Sequence, residues 1–307
     1  MLTPRVFVSG TTGCQGGALT RYLRSKDVEV HALTRNPTSK KAKALEAIGV
    51  KLTPSDYDNI EALKESISGC TSLFLVLRPD FTDLTAERRW ATNILNAGRA
   101  AGVKHAVFSS GFGVDSLDQF TALEPGSFIE TIMRNKHAIE VQTRNAGFEY
   151  WTILRPGAFM ANYLDPFVMM YPGLVERGVL TTAFAPTTVL PLVDTVTIGR
   201  FSGEAILNPG RFHQQEISYA DDWLEIEIIM QKLSKAVGRE LKAEYLSEQE
   251  IKAQKDNPFI VGQLMSREIG RLATKEDVEA WGVQLSTLDV FLEREEETVR
   301  ETYHNSG

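Results

Sequence analysis

Cysteine is nearly absent: Cys14 and Cys70 are the only two in 307 residues, which leaves no disulfide framework. The five histidines are scattered, and with two distant cysteines they give no metal-ligand spacing. No apolar run reaches the roughly 20 residues that a membrane-spanning helix needs. No leader-like segment precedes the first strand pattern, so a cytoplasmic location is expected, with the nucleus as a second possibility. Lysine and arginine form no basic stripe and the net charge is −7, which argues against direct contact with nucleic acid. Ser110-Gly111 lacks the G-x-S-x-G setting of a nucleophile elbow. Tyrosine is missing from the whole stretch between Tyr57 and Tyr150.

What is present is a soluble globular composition, 43% hydrophobic and 24% charged. The charge is uneven. Residues 1–155 hold 19 basic and 16 acidic side chains, a net of +3, and residues 156–307 hold 14 and 24, a net of −10. A phosphate-rich ligand favours the first half. The acids Glu293, Glu295, Glu296 and Glu297 read as a solvated helix face.

The chain is organised around Arg5–Gly17. An apolar strand pattern ending at Ser9 runs into Gly10-Thr11-Thr12-Gly13-Cys14-Gln15-Gly16-Gly17, and a helical pattern follows from Ala18. Strand, glycine turn and helix in that order bring backbone N–H groups and the positive end of a helix dipole to an anionic group. Gly10 suits the tight turn, Gly13 the close approach of a phosphate, and Gly16 the packing of helix on strand. Thr12 and Gln15 belong to the same cradle. The spacing is G-x-x-G-x-x-G, and its setting makes it a dinucleotide site.

Strand and helix patterns alternate through the first half. Strands are expected at Arg5–Ser9, Glu29–Thr34, Lys51–Pro54, Ser72–Leu77, His105–Ser109 and Trp151–Arg155, with helices between them. This predicts an α/β fold: a Rossmann-type doubly wound parallel sheet with a smaller C-terminal α+β substrate subdomain. The nucleotide domain is expected over 1–156, completed by parts of 189–218, and the smaller subdomain over 157–307. Beyond Arg155 the prolines 156, 166, 172, 186 and 191 cut the chain into short pieces. Helices are expected at Asp194–Leu207, with Asp194 as N-cap, at Tyr219–Val237, and near Ser247–Ala253, Thr274–Trp281 and Thr287–Arg300. Strands are expected at Phe212–Ser218 and Lys242–Tyr245.

The second strand chooses the nucleotide. An acid at its end would accept the ribose 2′-hydroxyl of NAD(H). Arg35 stands there instead, followed by Lys40 and Lys41. A guanidinium clasps a 2′-phosphate bidentately, so NADP(H) is the expected cofactor. Asp56, past the third strand, either accepts from the adenine amino group or caps its own helix. Leu77 and Arg78 should lie near the cofactor's middle, and Ser109 with Ser110 and Gly111 near the nicotinamide. Pro156 closes the set at the sixth strand.

With these segments, Asn135-Lys136-His137-Ala138-Ile139-Glu140, Trp151–Gly157, Phe159–Tyr163 and Gly282–Asp289, the sequence resembles the NmrA-like family, atypical members of the short-chain dehydrogenase/reductase superfamily. The resemblance spans nearly the whole chain. It implies either an NADP(H)-dependent reductase, as among the isoflavone reductase relatives, or a non-catalytic redox sensor that regulates a protein partner such as a transcription factor. The family's reductases carry a lysine before the sixth strand, and Lys136 matches it. There it would hold the nicotinamide ribose and assist proton transfer. The superfamily's tyrosine, four residues earlier, is replaced by Ile132. Tyr163 is then the candidate proton donor, and the alternative is that it packs.

Ile132, Lys136 and Ile139 share one side of the helix, whereas His137 points about 100° away and is expected at the surface. Cys14 is either an oxidisable thiol in the cofactor loop or a small filler. Met160, Met169 and Met170, with Phe159, Phe167 and Tyr171, suggest an adaptable wall for a small apolar or aromatic substrate carrying a carbonyl, imine or activated alkene.

Overall fold

The structure is a computed structural model and describes residues 4–304. The first half runs β1 (Arg5–Val8), α1 (Cys14–Ser25), β2 (Glu29–Thr34), α2 (Lys40–Ala47), β3 (Lys51–Pro54), α3 (Ile60–Ile67), β4 (Ser72–Leu75), α4 (Ala86–Ala100), β5 (His105–Ser109), α5 (Phe128–Asn145) and β6 (Tyr150–Pro156). Then come β7 (Ala158–Phe159), α6 (Leu174–Arg177), β8 (Val179–Thr182), β9 (Val189–Val193), α7 (Thr195–Leu207), α8 (Pro209–Phe212), β10 (Gln215–Tyr219) and β11 (Asp222–Glu225). The chain continues with α9 (Ile226–Val237), β12 (Lys242–Tyr245), α10 (Glu248–Ala253), α11 (Pro258–Ile269), α12 (Lys275–Glu279), α13 (Leu288–Arg294) and α14 (Glu296–His304). Among the described residues no helix is long and apolar enough to cross a membrane.

Two compact units form. The first takes the chain up to Val114, then Ile132–Arg155 and Ile198–Ile217; the second takes Asp115–Thr131, Pro156–Thr197 and the chain from Ser218 onward.

The first unit is built on a seven-stranded sheet in the order β10-β6-β5-β4-β1-β2-β3. The pairs β1–β2, β1–β4, β2–β3, β4–β5 and β5–β6 are all parallel. Strand order therefore reverses between β1 and β4, and ligands of such sheets bind beyond the carboxyl ends at that reversal. Strands buried on both faces read as continuous apolar runs. Phe7 joins Leu63, Ile67, Ile94, Leu95, Phe108 and Ile139 in one core, while Val6 and Val8 are fully buried on the opposite face. Helices α1 and α7 meet with almost no space between them. A Cβ at Gly203 would lie 2.2 Å from the Tyr22 ring, and one at Gly199 2.8 Å from the Ala18 backbone. Arg155, 2% exposed at the end of β6, donates from Nε to Glu140 Oε1 at 2.9 Å and from Nη2 to Glu140 Oε2 at 2.7 Å. It also pairs with Glu216 on β10. This buried charge is compensated on both sides and locks α5 to the sheet.

The second unit differs from the sequence expectation in several elements. The helix expected over Tyr219–Val237 begins only at Ile226, because Asp222–Glu225 pairs antiparallel with β9, Trp223 opposite Pro191 and Leu224 opposite Leu190. β9 is the centre of a three-stranded sheet, β11-β9-β7, although the sequence reads Pro191 as a breaker. β8 pairs with β12 in parallel. The strand expected at Phe212–Ser218 starts at Gln215, and a short helix precedes it; the helix expected at Thr287–Arg300 is two, α13 and α14. Helix α11 was not expected, yet Asn257 caps it and Pro258 occupies its first turn.

Asp194 caps α7 as expected, with Oδ1 accepting from Val196 N–H at 3.0 Å. It is also half of a buried acid pair. Asp221 accepts from Asp194 N–H at 2.7 Å, Ser286 N–H at 2.6 Å and the Thr197 hydroxyl at 2.7 Å. Burial alone would raise Asp194, but the two-pronged Arg294 contact, at 2.6 and 2.9 Å, holds it below the usual range. Burial pushes Asp221 up to about 6, against the pull of its three donors and with Asp194 repelling it. A folded-state value above the unfolded one means stability present at low pH and lost as pH rises through about 6. Wild type should therefore lose about 3 kcal/mol relative to Asp221→Asn between about pH 4 and about pH 7. Urea unfolding at the two pH values reads this, and a constant difference would contradict it.

Candidate functional site

The site is built from strand ends of the first unit. β1 delivers Gly10 in the left-handed region, with φ +63, and a Cβ there would meet Val76 Cγ1 at 3.0 Å and Val76 O at 3.1 Å. The turn folds back so that Gly13 N–H donates to Gly10 O at 2.9 Å. A Cβ at Gly16 would lie 2.5 Å from Gly10 O and 2.6 Å from Ser9 O, so only glycine lets α1 approach β1 this closely. Gly13 is exposed at the helix start; no side chain caps α1 and its first turn holds no acid. The open N–H groups there suit an anion.

Two buried hydroxyls at the same sheet edge, Thr11 Oγ1 and Ser110 Oγ, have no hydrogen-bond partner among the described residues. A buried orphan of this kind costs about 1–3 kcal/mol unless a ligand or water completes it. Ser109 at the end of β5 donates to Gln15 Oε1 at 2.6 Å, which brings two expected site residues together. Thr12 is half-buried beside them.

Arg35 is the first residue past β2. It is exposed and makes no hydrogen bond or ion pair with the described residues; Lys40 and Lys41 are exposed at the start of α2. Asp56 accepts the N–H groups of Asp58 and Asn59, at 3.0 and 3.2 Å, so its first use is to cap its own turn.

Lys136 projects from α5 towards the ends of β4 and β5. Its Nζ donates to Leu77 O at 3.4 Å, and a Cβ on Gly111 would lie 3.8 Å from its Cδ. Leu77 is buried and Arg78 exposed. The sequence reading missed Glu87, whose Oε1 accepts from Lys136 at 2.8 Å. Glu87 is 1% exposed, and its second oxygen has no partner among the described residues. The only sequence signal was an acid in the first turn of α4, which reads equally as a dipole partner. His137, expected at the surface, is half-buried. Cys14 is half-buried too, and burial pushes its thiol up despite the opposing charges of Lys41 and Arg21, as suits a filler better than a reactive thiol.

In the second unit Tyr163 is buried. The residue is 1% exposed and its ring stacks on Tyr171, with centroids 5.3 Å apart and an angle of 18°. Burial raises its phenol well above the ordinary tyrosine value. A phenol enclosed in the apolar core and stacked on a second ring favours the alternative of the expectation, that Tyr163 packs. Met160 belongs to the same core and Tyr171 packs against it, whereas Phe159, Phe167 and Met170 are half-buried and Met169 is 79% exposed. Pro156 is buried at the end of β6.

Known proteins resemble the chain in this fold. The NmrA-like family domain-containing oxidoreductase himF of Aspergillus japonicus is 29% identical over 235 residues, 71% of this chain and 69% of that protein. The crystal structure of the NADPH-dependent quinone oxidoreductase QOR2 of Escherichia coli complexed with NADPH superposes with a TM-score of 0.74 at 21% identity, covering 94% of this chain and 99% of the other. The negative transcriptional regulator NmrA in complex with NADP gives a TM-score of 0.69 at 17% identity, covering 98% and 96%. The model of the NmrA-like family matches residues 3–290, and the chain belongs to the NmrA-like family.

Proposed function

We propose that the chain binds NADP(H) across the carboxyl edge of its sheet and reduces a small aromatic acceptor, of which a quinone is the best example. The observation that carries the reading is the pairing of an uncapped glycine cradle with an unpartnered guanidinium one residue past β2. The cradle and the start of α1 hold the pyrophosphate, with the Thr11 and Ser110 hydroxyls nearby. Arg35, with Lys40, holds the 2′-phosphate. NADPH, when bound, supplies the hydride. Lys136, fixed by Glu87 and Leu77 O, keeps an ammonium at the nicotinamide end, where it donates to ribose hydroxyls and offers a proton to the reduced acceptor. A quinone suits a site without the superfamily's tyrosine, because its reduced oxygens take protons from an ammonium or from water without a dedicated phenol. The NADPH-dependent activity of QOR2 on quinones supports the same choice.

A second reading, an NADP(H) sensor that docks to a protein partner, is favoured by Ile132 in place of that tyrosine and by the buried Tyr163. The two readings separate in one assay. NADPH absorbance is followed with a panel of quinones, azo dyes and ketones. Turnover with quinones supports the enzyme; tight NADPH binding with no turnover on any acceptor supports the sensor; no NADPH binding defeats both.

A further inference from the structure

The first N–H of the glycine turn is not offered to a ligand at all. Gly10 N–H donates to the Tyr57 hydroxyl at 2.8 Å, across 47 residues of sequence. Tyr57 lies in the loop after β3, and contacts with α4 hold that loop. Its C=O accepts from Asn93 Nδ2 at 2.9 Å. Its ring meets Trp90 edge-on, with centroids 6.2 Å apart, and Trp90 Nε1 donates to the neighbouring Asp58 at 2.9 Å. Asp58 in turn pairs with Arg89 on the same helix. The loop is thereby tied to α4 by three polar contacts and one ring contact. The parallel register sets Thr34 opposite Pro54, so Arg35 and the Tyr57 loop leave neighbouring strands at the same sheet edge. Tyr57 is half-buried.

We infer that Tyr57 is a positioning residue of the nucleotide site: its hydroxyl fixes Gly10, and through it the pyrophosphate turn, in register with the 2′-phosphate clasp at Arg35. This rests on the NADP(H) reading above and deepens it. A left-handed Gly10 is one of several conformations open to glycine, and a donor tied to a rigid aromatic selects one of them before ligand arrives. The remaining N–H groups at the start of α1 are then free for phosphate. Asp56, the residue that the sequence points to in this loop, is used on its own turn, and Tyr57 beside it is what reaches the site.

The test is titration calorimetry of the full chain with NADPH and with adenosine 2′-monophosphate. The second ligand carries the group for Arg35 and nothing for the turn. Tyr57→Phe should weaken NADPH roughly five- to tenfold, the effect of losing one hydrogen bond and stranding its donor. It should leave adenosine 2′-monophosphate within about twofold, a split that general loosening of the fold does not produce. Asn93→Ala, which frees the Tyr57 backbone without touching the turn, should give the same split at smaller amplitude. It decides the matter should Tyr57→Phe not fold. Wild-type NADPH binding with no loss in either variant overturns the inference alone, as does equal loss for both ligands. Failure of the wild type to bind NADPH overturns the inference together with the reading beneath it.

Discussion

Arg35→Ser should weaken NADPH binding by roughly ten- to a hundredfold while changing NADH by less than about threefold, since charge-assisted hydrogen bonds contribute about 1.5–3 kcal/mol. The guanidinium is exposed and makes no hydrogen bond or ion pair with the described residues, so removing it breaks no such contact among them. The loss belongs to the ligand alone. Because the contact is solvent-facing, the NADPH preference of the wild type should also shrink as salt is raised. Arg35→Lys keeps the charge but not the fork and should fall between the two. Binding curves for both nucleotides at two ionic strengths read all of this. Equal affinities for NADPH and NADH in the wild type would end the 2′-phosphate assignment while leaving the glycine cradle in place.

The second large effect is expected at Lys136, and there it falls on stability as much as on activity. Removing a partner of a buried ion pair leaves an uncompensated charge and costs about 3–5 kcal/mol. Glu87 is the buried member, 1% exposed, and one of its oxygens already lacks a partner. Lys136→Met should therefore lower the unfolding free energy by about that amount, even though Lys136 itself is partly exposed. The double variant Lys136→Met with Glu87→Gln replaces both charges and should recover most of the loss. Turnover should not return with it, because the ammonium is gone. Chemical unfolding beside steady-state rates separates the two roles. Recovery of both properties in the double variant would show that Lys136 serves the fold and not the chemistry.

Most of the sheet was legible because its determinants are local. β2, β3 and β5 run over the expected residues, since each is a short stretch bounded by turn residues. The glycine turn and Arg35 were legible for the same reason: a turn and the next strand end sit close together in sequence. What escaped reading depends on distant partners. Asp222–Glu225 continues smoothly into an amphipathic helix, and only β9, some thirty residues earlier, draws it out as a strand. Glu87 looks like any acid at a helix start until the fold sets Lys136 against it from 49 residues away. The burial of Tyr163 was not legible either: beside Tyr171 it depends on Tyr303, which donates to Tyr163 O at 2.8 Å from 140 residues away.

Asp221 gathers the start of α7, the chain just after β10 and the segment before α13 onto a single carboxyl group, while α13 sends Arg294 back to neutralise its neighbour. The last third of the chain is consequently no detachable appendage. It closes like a drawstring: a version shortened ahead of Ser286 would strand two acids with neither their cation nor their third donor, and the loosening would be felt a hundred residues upstream, at the cap of α7.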